Sequence, residues 1–462
     1  MAISGKRSRL PPPPGGWLFK DPFAGLWLRP WFDWTALRLI TRWYLPLSRA
    51  WAAALLADGE VNRFWDELGA EKATGARLLR APLGIVRHRR RVYDEAERAW
   101  QAVFFGGGAP DLETRVAAET RRRGAAEMLM LARGAFVPLA VRTELPAVRF
   151  EIPAPEVMAR RHGHRQGGPA KAFPMPGEVE TARSQSVSGP VGEQYWLRFP
   201  ALSDGDVGTA WAHVFEPDGV EAPATLIFLH GITMEMEFWP DSRDPIPALA
   251  SQGIRVIRPE GPWHGRRRPA GYYGGEPALA RAPVGMIELF EAWVAEVAAL
   301  IRWARATSPG PVAVGGISLG ALTAQLVATA ATAWPSEMSP DALFLCTTSG
   351  DVGATVGASS LATALGLPQR LRAKGWDEGT LAPWLSLAEP GPVPGLAPES
   401  IVMVLGSIDD VTPFAGGLEL AERWRVPEKN RFIWRRGHFS AGLAIMAEDG
   451  PLARLAEILR RA

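Results

Sequence analysis

VAVGGISLGALTA, residues 312–324, changes texture in its middle. The first half is a short unbroken apolar run, the pattern of a strand covered on both faces. From Leu319 onward, LGALTAQLVATAATAW reads as a helix. Gly316-Ile317-Ser318-Leu319-Gly320 therefore falls on a strand-to-helix turn. In that setting G-x-S-x-G lifts a serine oxygen above the carboxyl edge of a sheet. The glycines remove side chains that would collide in so sharp a turn. The amides that open the helix face the place where negative charge develops.

A serine hydroxyl is a weak nucleophile and needs a base, itself oriented by an acid. Downstream of Ser318 the chain supplies both, each at the end of a strand-like run. After IVMVLG comes SIDDVTP, with Asp409 three residues beyond Gly406, and after RFIWRRG comes His438. Asp410 and Asp351 are the competing acids. An oxyanion hole needs two backbone N–H groups. One is expected from Leu319, the residue after the serine, and the other from Ile232 in HGITME, which follows the strand-like ATLIFL. His230 reads as a loop-ordering residue rather than a second base.

Around these segments short β-like runs alternate with helical ones: ATLIFL, PIPALASQG, IRVIRP, GMIELFEAWVAEVAALIRWARAT, PVAVGGIS, DALFLCTTS, IVMVLGS, GLELAERW and RFIWRRG. Alternation at this spacing predicts an α/β fold, a mostly parallel sheet with helices on both faces. YWLRFPAL and TAWAHVFEP have no helix between them and are expected as an antiparallel edge. At 462 residues the chain exceeds one typical core. Residues 1–16, with PPPPGG, are expected to be disordered, and 17–150 to form an α-helical N-terminal region. Residues 151–192, rich in Pro and Gly, are expected as a linker whose His162 and His164 are solvated rather than metal ligands. The catalytic domain is then 193–462, with a cap at 352–398 in which Trp376 and Trp384 either line an acyl pocket or pack the cap onto the sheet.

HGI, GGISLGAL, GSIDDVTP and RRGHFS together resemble the α/β-hydrolase superfamily over roughly residues 190–462. The resemblance implies the same fold and the same roles for Ser318, Asp409 and His438. PEGPWHGRRRP, residues 259–269, is similar to the proline–aromatic–glycine–arginine–proline loop of the abhydrolase domain containing 18 group. That group favours an Asn and two tyrosines where this chain has Gly261, Trp263 and His264. The same loop offers His264, Arg266, Arg267 and Arg268 as substrate-binding candidates, with guanidinium groups suited to a carboxylate or phosphate.

A net charge of +2 and 22% charged residues give no sign of a nucleic-acid partner. The arginine runs at 87–91 and 120–124 read as solvated helix faces. Cys346 is the only cysteine, so neither an intrachain disulfide nor a CxxC pair can form, which fits a reducing, cytoplasmic setting. The prolines near the start interrupt the apolar core that a signal peptide needs. Trp17, Trp27, Trp31, Trp34, Trp43 and Trp51 suggest core packing, or peripheral membrane contact beside Arg29, Arg38 and Arg42. The function expected is a serine hydrolase acting on a small-molecule acyl ester, with no cofactor and no metal. An acyltransferase and a non-catalytic scaffold are the alternatives.

Overall fold

Unbroken apolar runs build the centre of the sheet. In the computed structural model, which describes residues 29–71, 76–189, 191–203, 208–235, 245–445 and 447–462, ten strands form one sheet. In chain order they are β1 (Ala182–Arg183), β2 (Val187–Gly189), β3 (Gly192–Phe199), β4 (Ala210–Glu216), β5 (Ala224–Leu229), β6 (Ile254–Pro259), β7 (Val312–Ile317), β8 (Ala342–Cys346), β9 (Ile401–Gly406) and β10 (Arg431–Trp434). The order across the sheet is β1-β3-β4-β6-β5-β7-β8-β9-β10, with β2 beside β3. From β6 to β10 every pairing is parallel, while β3, β4 and β6 pair antiparallel, giving the expected edge.

Alternate residues of each central strand feed two cores. Leu229, Val312, Val314, Leu343, Leu345 and Met403 pack against the helices Val284–Thr307 and Leu319–Ala330 on one face. Phe228, Ala313, Phe344, Cys346 and Val402 pack under the helix Gly450–Arg461 on the other. Covering both faces is why these strands are apolar at nearly every position.

The N-terminal region is helical, as Pro30–Leu39, Leu45–Ala57, Val61–Leu68, Ala76–Phe105 and Leu112–Leu131. It has its own core, in which Trp51 is fully buried and donates to the Leu129 carbonyl at 3.0 Å. Contacts that bind it to the rest of the chain include an aromatic one and a buried ion pair. Trp100 stacks on Phe104 and meets Trp196 of β3 edge-on with centroids 6.0 Å apart. Arg49, fully buried, pairs with Glu276 at 2.9 Å and donates to the Gly271 carbonyl. Trp17, Trp27 and residues 1–16 lie outside the described residues.

The stretch expected as a linker is largely built structure. It holds the helix Pro155–His162 and the strands β1 and β2. His162 is buried rather than solvated, and burial together with the nearby Arg165 holds its imidazole down at about 4. Arg165 is also buried and pairs with Glu291. Of the two histidines only His164 is exposed. Proline and glycine hide the segment from a periodicity reading, because its order comes from contacts with a helix more than a hundred residues away.

Candidate active site

β7 ends at Ile317, and Ser318 follows with φ 54° and ψ −119°, a left-handed backbone that an L residue adopts only under strain. The turn holds because its glycines let two backbones meet. A Cβ on Gly316 would lie 2.4 Å from the Gly320 carbonyl carbon, and one on Gly320 would lie 2.3 Å from the Leu229 oxygen. The Ser318 N–H donates to the Cys346 carbonyl at 2.9 Å, tying the turn to β8.

β9 and β10 bring up the other two residues. His438 Nε2 is 2.9 Å from Ser318 Oγ, and His438 Nδ1 is 2.9 Å from Asp409 Oδ2. Asp409 and His438 are both buried. The Asp409 carboxylate is held on all sides: Oδ1 accepts from the N–H groups of Val411 and Thr412, and Oδ2 accepts from the Thr412 hydroxyl, each at 2.9 Å. The two competing acids are engaged elsewhere. Asp410 Oδ1 accepts from Ser360 Oγ at 2.8 Å, and Asp351 caps the helix Val352–Gly357 through the Ala354 N–H.

The HGITME loop passes directly over the serine, since a Cβ on Gly231 would sit 3.6 Å from the Ser318 Cβ. Its neighbouring amides are taken. Gly231 N–H meets Met234 Sδ at 3.2 Å, and Thr233 N–H donates to His264 Nε2 at 3.2 Å. The Ile232 N–H between them meets no acceptor among the described residues. Leu319 is the first residue of its helix, so its N–H has no partner inside the helix. The two amides nominated from sequence thus have no acceptor among the described residues.

His230 and His264 act as loop clamps. His230 Nε2 accepts from Gly261 N–H at 2.9 Å, and His264 Nδ1 lies 2.9 Å from the Pro262 carbonyl. Burial, with His264 close by, holds His230 well below the ordinary imidazole value, and burial holds His264 down at about 4. Both rings are therefore neutral and able to accept a hydrogen bond near pH 7. His264 is buried and fastens the HGITME loop to its own loop.

The three arginines of the same loop are also structural. Arg266 pairs with Glu97 at 3.1 Å and with Glu260, and it lies over the Trp196 ring. Arg267, almost fully buried, forms a two-point pair with Glu296 at 2.7 and 2.5 Å. Arg268 reaches Glu235 at 3.7 Å over the Trp51 ring. The cavity that they border, about 830 Å³, is lined also by Arg90, Glu97 and Trp211 and by none of Ser318, Asp409 or His438. Sequence reading took these guanidinium groups as available to an anion. Glu260 stands in the same PEGPWHGRRRP stretch, but Glu97 and Glu296 lie 169 and 29 residues away in the chain, where no motif could reveal them.

In the insert at 352–398, Trp376 is buried and donates to the Pro153 carbonyl at 2.7 Å, so it packs the insert onto the body instead of lining a pocket. Trp384 is half-buried against the same core. Cys346, at the end of β8, is buried and its thiol is pushed up to about 12 by that burial, which makes it inert.

Three contributors escaped the sequence reading. Thr412 stands in SIDDVTP and is legible there as a turn residue, but not as the hydroxyl that holds Asp409. Tyr44 donates to the Thr233 carbonyl at 3.1 Å and so fastens the HGITME loop from the N-terminal region. Asp33, on the helix Pro30–Leu39, bonds the backbone on both sides of His438.

A doubly covered, mostly parallel sheet that presents an elbow serine, an aspartate and a histidine from three strand ends is the architecture of an α/β-hydrolase. Residues 226–458, just over half of the chain, match the Alpha/beta hydrolase family, and the chain belongs to that family. The match does not reach the abhydrolase domain containing 18 group. No curated protein matches the chain. Solved structures similar to it include acetyl xylan esterase 1 from Thermoanaerobacterium sp. JW/SL YS485, at 15% identity over 64% of this chain and 96% of that one, with a TM-score of 0.42. TT1662 from Thermus thermophilus is similar at 22% identity over 54% and 93%, with a TM-score of 0.36.

Proposed function

We propose that the protein is a serine hydrolase of carboxylic esters working through an acyl-enzyme. The observation that carries this reading is the unbroken chain from Ser318 Oγ to His438 Nε2 and from His438 Nδ1 to Asp409, with both links at 2.9 Å. Ser318 attacks the ester carbonyl while His438 Nε2 takes its proton. The oxyanion that forms is held by the N–H groups of Ile232 and Leu319. His438 then returns the proton to the departing alcohol, and a water molecule, deprotonated by the same nitrogen, releases the acid. Asp409 orients the imidazole and stabilises its charged form throughout. None of these steps uses a cofactor.

Peripheral membrane contact is the second part of the reading. It is supported by the exposure of Trp31, Trp34 and Leu39, with Arg38 stacked over the Trp34 ring at 4.0 Å. Arg42, in the helical turn Ile40–Tyr44 that continues this helix, reaches Glu144 at 3.8 Å, just past the helix Val137–Arg142 that carries the exposed Val141.

The experiment is covalent labelling by a fluorophosphonate probe, with Ser318→Ala alongside and the adduct located by peptide mass, followed by a panel of acyl esters. Label on Ser318 that vanishes in the variant supports the reading. A folded wild-type protein that takes no label sinks it.

A further inference from the structure

Asp33 reaches the candidate site from the opposite end of the chain, 404 residues before Gly437. Its carboxylate takes four bonds from one short stretch. Oδ1 accepts from the N–H groups of Phe439 at 2.7 Å and Ser440 at 3.0 Å. Oδ2 accepts from the Gly437 N–H at 3.2 Å and from the Ser440 hydroxyl. The residue enclosed by these contacts is His438. Gly437 makes the approach feasible, because a Cβ there would lie 2.4 Å from the Asp33 Cγ.

We propose that Asp33 is a positioning residue for His438: by binding the amides of Gly437, Phe439 and Ser440 it fixes the backbone from which the imidazole reaches both Ser318 and Asp409. The inference rests on the hydrolase reading above. His438 has two hydrogen-bonding ends, each at 2.9 Å from its partner, so a displacement of its Cα lengthens one link or the other. A misplacement of about 1 Å in such a group lowers turnover by about 100-fold without touching the ester-binding surface. Asp33 bonds no group of the Ser318–His438–Asp409 chain itself, so its effect passes entirely through the 437–440 backbone. The N-terminal helical region is in this way part of the catalytic assembly.

The test uses full-length protein as wild type, Asp33→Ala, Asp33→Asn and Thr35→Ala. Thr35 is on the same helix, and its hydroxyl bonds only to the Trp31 carbonyl among the described residues. Three readouts are taken: the rate of fluorophosphonate labelling at Ser318, kcat and KM on a neutral ester, and amide exchange over 437–440 followed by mass spectrometry. Asp33→Ala should slow labelling and kcat by about 10- to 100-fold, leave KM within about twofold, and speed exchange over 437–440. Asp33→Asn keeps the oxygen that serves Phe439 and Ser440, so it should recover part of the rate. Thr35→Ala should match wild type. Labelled wild type with an equally fast Asp33→Ala overturns the positioning role alone, and so does a loss of rate shared by Thr35→Ala, which would report a disturbed helix. Unlabelled wild type overturns the hydrolase reading, and the positioning role with it.

Discussion

Replacing Arg267 by Met separates a structural arginine from a substrate-binding one. The guanidinium is nearly inaccessible, bonded to both oxygens of Glu296 and to the Glu260 carbonyl at 2.9 Å. Met fills much the same volume but leaves Glu296 without its partner in the core. Breaking one side of a buried pair costs about 3–5 kcal/mol. At roughly 2 °C per kcal/mol for a large domain, the midpoint of thermal unfolding should fall by about 8 °C. The loss should also depend on pH. Burial already holds the Glu296 carboxyl above its ordinary value of 4.5, and Arg267 is what pulls it back down. Without Arg267 the folded chain binds this proton more tightly than the unfolded chain does. Stability of the variant therefore falls as pH rises from 4.5 through the raised folded value, and then levels off. The deficit against wild type should be smaller at acid pH than at neutral pH. Scanning calorimetry across that range measures both effects, and Arg267→Met with Glu296→Leu should recover most of the midpoint. KM values for anionic and neutral esters should change in parallel. An unchanged midpoint with KM raised only for anionic esters would refute the argument and return Arg267 to the substrate.

Asp409→Asn should lower kcat by about 10³- to 10⁴-fold with little change in KM, since the imidazole loses both its tautomer control and its counter-charge. Thr412→Val removes the hydroxyl that bonds Asp409 Oδ2 at 2.9 Å and lies 3.1 Å from His438 Nδ1, a loss of about 1 kcal/mol, and should lower kcat roughly fivefold in the same steady-state assay. Gly320→Ala forces a Cβ to 2.3 Å from the Leu229 oxygen, so the variant should lose Ser318 labelling and unfold several degrees earlier. Wild type should co-sediment with anionic vesicles, and Trp31→Ala with Trp34→Ala should release it while kcat on a soluble ester stays the same. Equal sedimentation of the two proteins would end the membrane proposal.

What the sequence determined by itself was whatever is encoded within a short window. The apolar run before Gly316 and the helical pattern after Leu319 are local, so the strand, the turn and the positive-φ serine follow from residues 312–324. The doubly covered sheet follows from strands such as IVMVLG, in which every residue is buried. Asp409, Leu319 and Ile232 follow such buried runs and His438 follows the half-exposed strand RFIW, and parallel strands bring their carboxyl ends to one edge, so these candidates could be nominated from sequence. Tertiary structure decided the rest, because the partners are remote in the chain. Arg267 meets Glu296, Arg49 meets Glu276, and Asp33 meets Gly437 across 404 residues. A side chain's sequence neighbourhood states its chemistry but not its counterpart, so arginines that look available to a substrate are neutralised inside the fold. By the same rule, an aspartate on the first described helix that carries no motif becomes the fastening of the candidate catalytic histidine.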